Sequence, residues 1–182
     1  MRDLGQGRVE QLTADTAHLT ARTQDRLYDL SGKIFVPRRF EHGAPRSAAY
    51  FADALWVTGG AGLYRLAQKT NHTLEVPYPG GLVTRLGDRL VYWGPGGVFT
   101  RGAADGPWTE LNRAATRLFP TSDPRFPALF VIGESAQLFD AGSGALSELT
   151  LPVLARDVSA ALILDGKIFL GTSGYGLIVR EL

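Results

Sequence analysis

Cysteine is absent from the 182 residues. Its absence excludes a disulfide framework, a thiolate nucleophile and a zinc–thiolate site. A chain of this kind is compatible with a reducing compartment, and a cytoplasmic protein is the expectation. Histidine is scarce: His18, His42 and His72 stand in different parts of the chain, with no HExxH-like or His-x-His spacing. Sequence-near ligands therefore do not build a transition-metal site, each histidine reads as a surface or loop residue, and no metal or cofactor is expected. Lysine is scarce too, only Lys33, Lys69 and Lys167 among 19 basic residues, which we read as the mark of a GC-rich bacterial genome. No apolar run approaches the roughly 18 residues that cross a bilayer. The opening MRDLGQGRVEQL has no apolar segment resembling a signal peptide, so no membrane partner is expected. A net charge of +1 gives no long-range steering toward nucleic acid. No GxSxG elbow is present, and no constellation supports nucleophilic catalysis.

What the chain does have is glycine, 22 residues, and proline, 10 residues, in a composition that is 45% apolar and 20% charged. That combination points to a soluble, turn-rich β protein. One unit of grammar recurs five times: DRLYDLSGKIFVPR (25–38), DALWVTGGAGLYR (53–65), DRLVYWGPGGVFTR (88–101), PALFVIGESAQLFD (127–140) and DGKIFLGTSGYGLIVR (165–180). Each is an apolar strand, a Gly- or Ser-centred turn and a second strand. The first strands align at Leu27, Leu55, Leu90, Leu129 and Ile168, and the second at Phe35, Tyr64, Phe99, Phe139 and Ile178. Both sets of anchors settle to a period of roughly 35 to 40 residues, that of a propeller blade.

A further strand precedes the hairpins, as SAAYF (47–51), GLVTRL (81–86) and VSAALIL (158–164), through tight Asp- or Gly-containing turns. Another follows them, as HTLEVP (72–77), PWTELN (107–112) and ALSELTLP (145–152). The expected fold is thus all-β: a five-bladed β-propeller of four-stranded antiparallel blades, in one domain over 1–182. The blades fall at approximately 14–46, 47–77, 81–112, 115–152 and 158–182. In this reading each recurrent hairpin is the middle of its blade, and EHGAPRS (41–47) is a poor outer strand for the first. The segment GRVEQLT (7–13) resembles the outer strands and is expected to complete the last blade, closing the ring and removing an open edge. A β-sandwich, which needs no regular period, and a solenoid of shorter repeat are the alternatives.

The run VFTRGAADGPWTEL (98–111) resembles the Asp-box, or BNR repeat, of sialidases, sortilin-type receptors and photosystem-assembly propellers. Asp105, Gly106 and Trp108 match its Asp-Gly turn and its tucked aromatic. The equivalent stretches AQKTNHT (67–73) and AGSGALS (141–147) lack both Asp and Trp. The stretch LWVTGGAGLYRL (55–66) is similar to the repeat of sensor propellers in two-component regulators. The resemblance implies a structural role for Asp105, Gly106 and Trp108. It does not carry over the catalytic residues of sialidases.

Small propellers gather loops from every blade at one mouth, where residues remote in sequence form a composite site. The candidates there are Tyr78, Arg113, Glu134, Arg156 and Tyr175. A non-enzymatic scaffold that binds a protein partner is the first expectation. A lectin-like module binding a glycan is the alternative, and a small hydrolase or lyase comes third. For the last, Glu134 and Asp157 are available carboxylates that nothing in the sequence pairs. Residues 22–46 are rich in arginine, while 134–165 are rich in Asp and Glu. The two regions either neutralise each other across neighbouring blades or leave a basic docking patch for an acidic partner or nucleic acid.

Overall fold

A computed structural model describes residues 8–67, 71–103, 105–112 and 114–182, and contains five antiparallel sheets. The first holds β1 (Gln11–Ala14), β2 (Leu19–Arg22), β3 (Leu27–Ser31) and β4 (Ile34–Arg38). The second holds β5 (Ser47–Phe51), β6 (Ala54–Thr58), β7 (Leu63–Leu66) and β8 (His72–Val76). The third holds β9 (Leu82–Leu86), β10 (Arg89–Gly94), β11 (Gly97–Arg101) and β12 (Thr109–Asn112). The fourth holds β13 (Arg117–Pro120), β14 (Ala128–Ile132), β15 (Ser135–Asp140) and β16 (Ala145–Leu149). The fifth has three strands, β17 (Val158–Leu164), β18 (Lys167–Thr172) and β19 (Gly176–Glu181). Among the described residues no helix is long and apolar enough to cross a membrane.

Within each sheet the strands pair in chain order. The connections explain why. Ala52 and Asp53 both adopt left-handed backbone between β5 and β6, and Asp165 and Gly166 do so between β17 and β18. Two successive left-handed residues make the tight turn whose twist matches that of paired strands. The first strands lie against one another from sheet to sheet, β1 beside β5, β5 beside β9 and β13 beside β17. They form the axial side of the assembly, and the fourth strands lie outermost.

Side chains stitch the axial strands together. The Gln11 amide donates to Ala48 O at 2.9 Å and accepts from Ala48 N at 3.0 Å, so one side chain stands in for a strand's hydrogen bonds across the first junction. Val83 N donates to Ser47 Oγ at 2.7 Å across the second, and Arg117 donates to Val158 O at 2.7 Å across the fourth. Apolar clusters fill the spaces between sheets. Leu27 packs with Leu55 and Tyr64; Trp56 with Leu90 and Phe99; Val91 with Phe130 and Phe139; Leu129 with Ile168 and Leu170. Interior strands such as β5, β6 and β11 are accordingly buried along their whole length, the pattern of a sheet covered on both faces.

Two expectations about the first sheet are corrected. The N-terminal segment does not complete the last blade: β1 pairs with β2, Gln11 opposite Arg22 and Ala14 opposite Leu19, and the fifth sheet keeps three strands. The reason is local. Asp15 Oδ1 accepts from the amides of Ala17 at 2.8 Å and His18 at 2.7 Å, which forms the turn between β1 and β2. Closing so short a loop costs far less entropy than joining the chain's two ends. The hairpin 25–38 is therefore the third and fourth strands of its sheet, not the middle pair. That shift of one strand accounts for the short first spacing of the repeat. Residues 41–46 are a connection, and the outermost strand is β4.

Two turn carboxylates make stability sensitive to acid. Burial raises the pKa of Asp15, but bonds from the Ala17 amide and from His18 outweigh it and hold the carboxyl below the ordinary 3.8. Asp140 is held below 3.8 chiefly by the Ser143 amide, with the Ser143 hydroxyl and Arg125 adding to it. A depressed carboxylate contributes stability that is fully present above its unfolded value and is lost as pH falls through the folded one. Asp15→Asn and Asp140→Asn are thus expected to lose less stability than the parent chain as pH drops below 3.8, in urea titrations at stepped pH. Parallel curves would remove these two groups as the acid-sensitive ones.

Candidate functional site

In an antiparallel meander, the turns between second and third strands and the connections from one sheet to the next emerge at the same end. That end carries loops 59–62, 77–81, 95–96, 133–134, 150–157 and 173–175. A cavity of about 530 Å³ opens there between the second, third and fourth sheets, lined among others by Arg46, Gly80, Trp93, Gly94, Pro95 and Thr116.

Each lining group is placed by local structure. Arg46 precedes β5, its amide held by Thr58 O at 3.0 Å. Its exposed guanidinium lies over Gly80, where an added Cβ would meet Nη1 at 3.5 Å. Among the described residues it has no carboxylate partner. The Trp93 ring is half-buried near the end of β10 and meets Phe130 edge-on at 6.3 Å. Behind them, Tyr92 is fully buried, its hydroxyl donates to Tyr78 O, and burial raises its pKa. Its ring occupies the space beside Gly81, where a Cβ would come within 2.1 Å of Cζ. Gly80 and Gly94 line the cavity with main chain alone. The arrangement joins a cation without a carboxylate partner among the described residues to an aromatic surface and glycine main chain, which suits a carboxylate flanked by an apolar group.

Of the residues singled out from sequence, Tyr78, Glu134, Arg156 and Tyr175 all lie at this end, and Arg113 falls outside the described residues. The four do not line the cavity. Tyr78 stacks on Phe99 at 5.4 Å. Arg156 offers its carbonyl to Arg117, while Glu134 and Tyr175 are exposed on the turns of the fourth and fifth sheets. The arginine-rich first sheet is largely neutralised within itself. Arg22 pairs with Glu10 at 2.7 Å, Arg38 with Asp29 at 3.1 Å, and Arg39 with Glu41.

The structure also makes juxtapositions that spacing does not reveal. His42 Nε2 lies 3.2 Å from His72 Nδ1, and the His42 ring stacks on Tyr64 at 4.0 Å. Both histidines are half-buried rather than on the surface. No group of three potential metal ligands occurs among the described residues. Asp105 pairs with Arg65 at 3.0 Å, and Trp108 meets Trp56 edge-on at 5.8 Å. The repeated aromatics Tyr64, Phe99 and Phe139 are buried in clusters between sheets, whereas Phe35 faces away from its neighbouring sheet.

No family model matches the chain, and no curated protein matches it in sequence. Solved structures do match in fold. PorZ of Porphyromonas gingivalis aligns over 96% of this chain and 27% of its own, with TM-score 0.65 and 12% identity. YCF48 bound to a D1 peptide aligns over 96% and 63%, with TM-score 0.62 and 14% identity. Virginiamycin B lyase of Staphylococcus aureus aligns over 98% and 71%, with TM-score 0.63 and 16% identity. The fold is that of a β-propeller, with five sheets as its blades. The chain spans about a quarter of PorZ and under two thirds of YCF48.

Proposed function

We propose that this chain is a non-enzymatic binding propeller that takes a segment of a protein partner at the cavity between its second, third and fourth blades. The observation that carries the reading is the Arg46 guanidinium, which has no carboxylate partner among the described residues, beside the half-buried Trp93 ring. An extended segment with an acidic side chain or a C-terminal carboxylate would pair with Arg46 and lay an apolar neighbour on Trp93. Support comes from the solved neighbours, among which YCF48 was determined with a peptide and another belongs to a mitotic checkpoint complex. We also read residues 98–111 as an Asp-box-like corner, with Asp105 and Trp108 bracing the second blade against the third.

The test is an arrayed peptide library presented with free and with amidated C termini. Acidic or free-carboxylate peptides are expected to be enriched. Arg46→Glu is expected to weaken the enriched peptides at least about tenfold, as loss of a charge pair in a cavity does, and Trp93→Ala to weaken them comparably. Peptides that bind both variants as well as the parent chain would move the site elsewhere.

A further inference from the structure

A second cavity, of about 400 Å³, opens between the first and second sheets. Its volume falls in the range of sites that hold a small molecule. It shares no lining residue with the cavity beside Arg46. Cross-strand pairing places its walls. Thr20 stands opposite Asp29, Asp29 opposite Val36, and Leu27 opposite Arg38. Leu27 packs with Leu55 of the second sheet, and Thr20 Oγ1 lies 2.8 Å from Tyr50 Oη. Asp29, Val36 and Arg38 therefore share the face turned toward the second sheet.

The polar groups of this wall are held in fixed directions. Asp29 Oδ1 accepts from the Thr20 hydroxyl at 2.7 Å, and Asp29 Oδ2 accepts from Arg38 at 3.1 Å. An ionised carboxylate donates nothing, so the single Thr20 hydrogen goes to Asp29 and the Tyr50 hydroxyl donates to Thr20. Burial raises the Tyr50 pKa, which keeps the phenol protonated for that bond. The His18 ring stacks on Tyr50 at 5.5 Å, and its Nδ1 lies 3.1 Å from Asp15.

Two properties of the cavity decide what fits it. The first is charge. Every charged group on the lining is already matched, Arg38 by Asp29, Arg39 by Glu41 and His18 by Asp15. An ion entering the cavity would add a charge that no lining group is left to balance, and its removal from water would be unfavourable. The second is the mixture of surfaces. The Asp29 side chain is 26% exposed and keeps acceptor capacity. Arg38 donates to Asp29 through Nη1 alone, and its buried Nε has no partner among the described residues. The half-buried Val36 stands directly beside this pair, and the exposed Ser31 hydroxyl adds a group that both donates and accepts.

We propose that this cavity binds a neutral sugar residue. A carboxylate next to a guanidinium accepts from one hydroxyl and donates to its neighbour, which matches two adjacent hydroxyls on a sugar ring. Val36 meets a C–H face of the same ring. The inference rests on this junction alone and is independent of the peptide site.

Saturation-transfer NMR with glucose, galactose, mannose, fucose and N-acetylglucosamine tests this, with glucuronate and inorganic phosphate as charged probes. At least one neutral sugar is expected to bind, and the charged probes are not. Val36→Phe adds bulk inside the cavity at a strand position that accepts an aromatic, and is expected to abolish the signal. Asp29→Asn is expected to weaken binding at least about tenfold, as loss of a charged hydrogen-bond partner does. If Asp29→Asn does not keep the parent's circular-dichroism melt, Val36→Phe decides alone. Arg46→Glu should bind the sugar as the parent does. The proposal is overturned if no neutral sugar binds, or if glucuronate or phosphate binds in preference. It is overturned equally by a sugar that binds Val36→Phe as well as the parent, or by one that Arg46→Glu no longer binds.

Discussion

Trp56→Ala is expected to destabilise the protein by about 3–5 kcal/mol, the range for truncating a large buried aromatic. Trp56 is fully buried between the second and third blades, among Ala49, Leu90 and Phe99. Its Nε1 donates to Phe51 O at 3.0 Å. The Arg101 guanidinium lies 5.2 Å from its ring and 5.6 Å from that of Trp108, and pairs with Glu75 at 3.0 Å. Removing the indole leaves a cavity, takes one hydrogen bond from a buried carbonyl and takes one aromatic face from a nearly buried arginine. Each effect acts in the same direction. Trp56→Phe keeps most of the volume and should recover a large part of the loss. Urea unfolding read by circular dichroism measures both; a midpoint for Trp56→Ala within error of the parent's would show that this junction does not carry the fold's stability.

Starting the chain at Asp15 is expected to be comparably damaging, and to damage the first blade. The deletion removes the four pairings of β1 with β2 and both bonds of the Gln11 amide to Ala48. At about 1 kcal/mol for each hydrogen bond lost, the cost reaches several kcal/mol, enough to unfold a domain of ordinary stability. Amide exchange locates the loss. The amides of β2 and β5 should lose protection first, while β18 and β19 keep theirs relative to the rest of the chain. Early deprotection of β19 would restore the N-terminal segment as a partner of the last blade. A truncated chain that melts with the parent would make β1 a loose arm.

The site is shielded from such losses in part: Trp93 rests on the third blade, while Arg46 directly precedes β5. Trp93 is held by the β10 ladder, with Leu82 and Val98 opposite it. Arg46 depends on a connection whose amide is tied to β6 by Thr58 O.

The strand and turn grammar was legible in the sequence, because both signals are local. Period-two alternation and turn residues such as Asp165-Gly166 act over a few neighbours, so the hairpins, their repeat and the all-β class follow from adjacent residues alone. Which strand begins the first blade was not legible. GRVEQLT resembles an outer strand equally well at either end of the row, and what decided its place was the cost of closing a loop and the Gln11 amide meeting Ala48, 37 residues away. The site behaves in the same way. Sequence pointed to the end of the sheets where connecting loops gather, but charge pairing and cavity shape are properties of contacts. Arg46 is one of six basic residues between 22 and 46. Only tertiary structure neutralises Arg22, Arg38 and Arg39 while leaving Arg46 beside an aromatic wall, and only tertiary structure brings His42 against His72 across 30 residues.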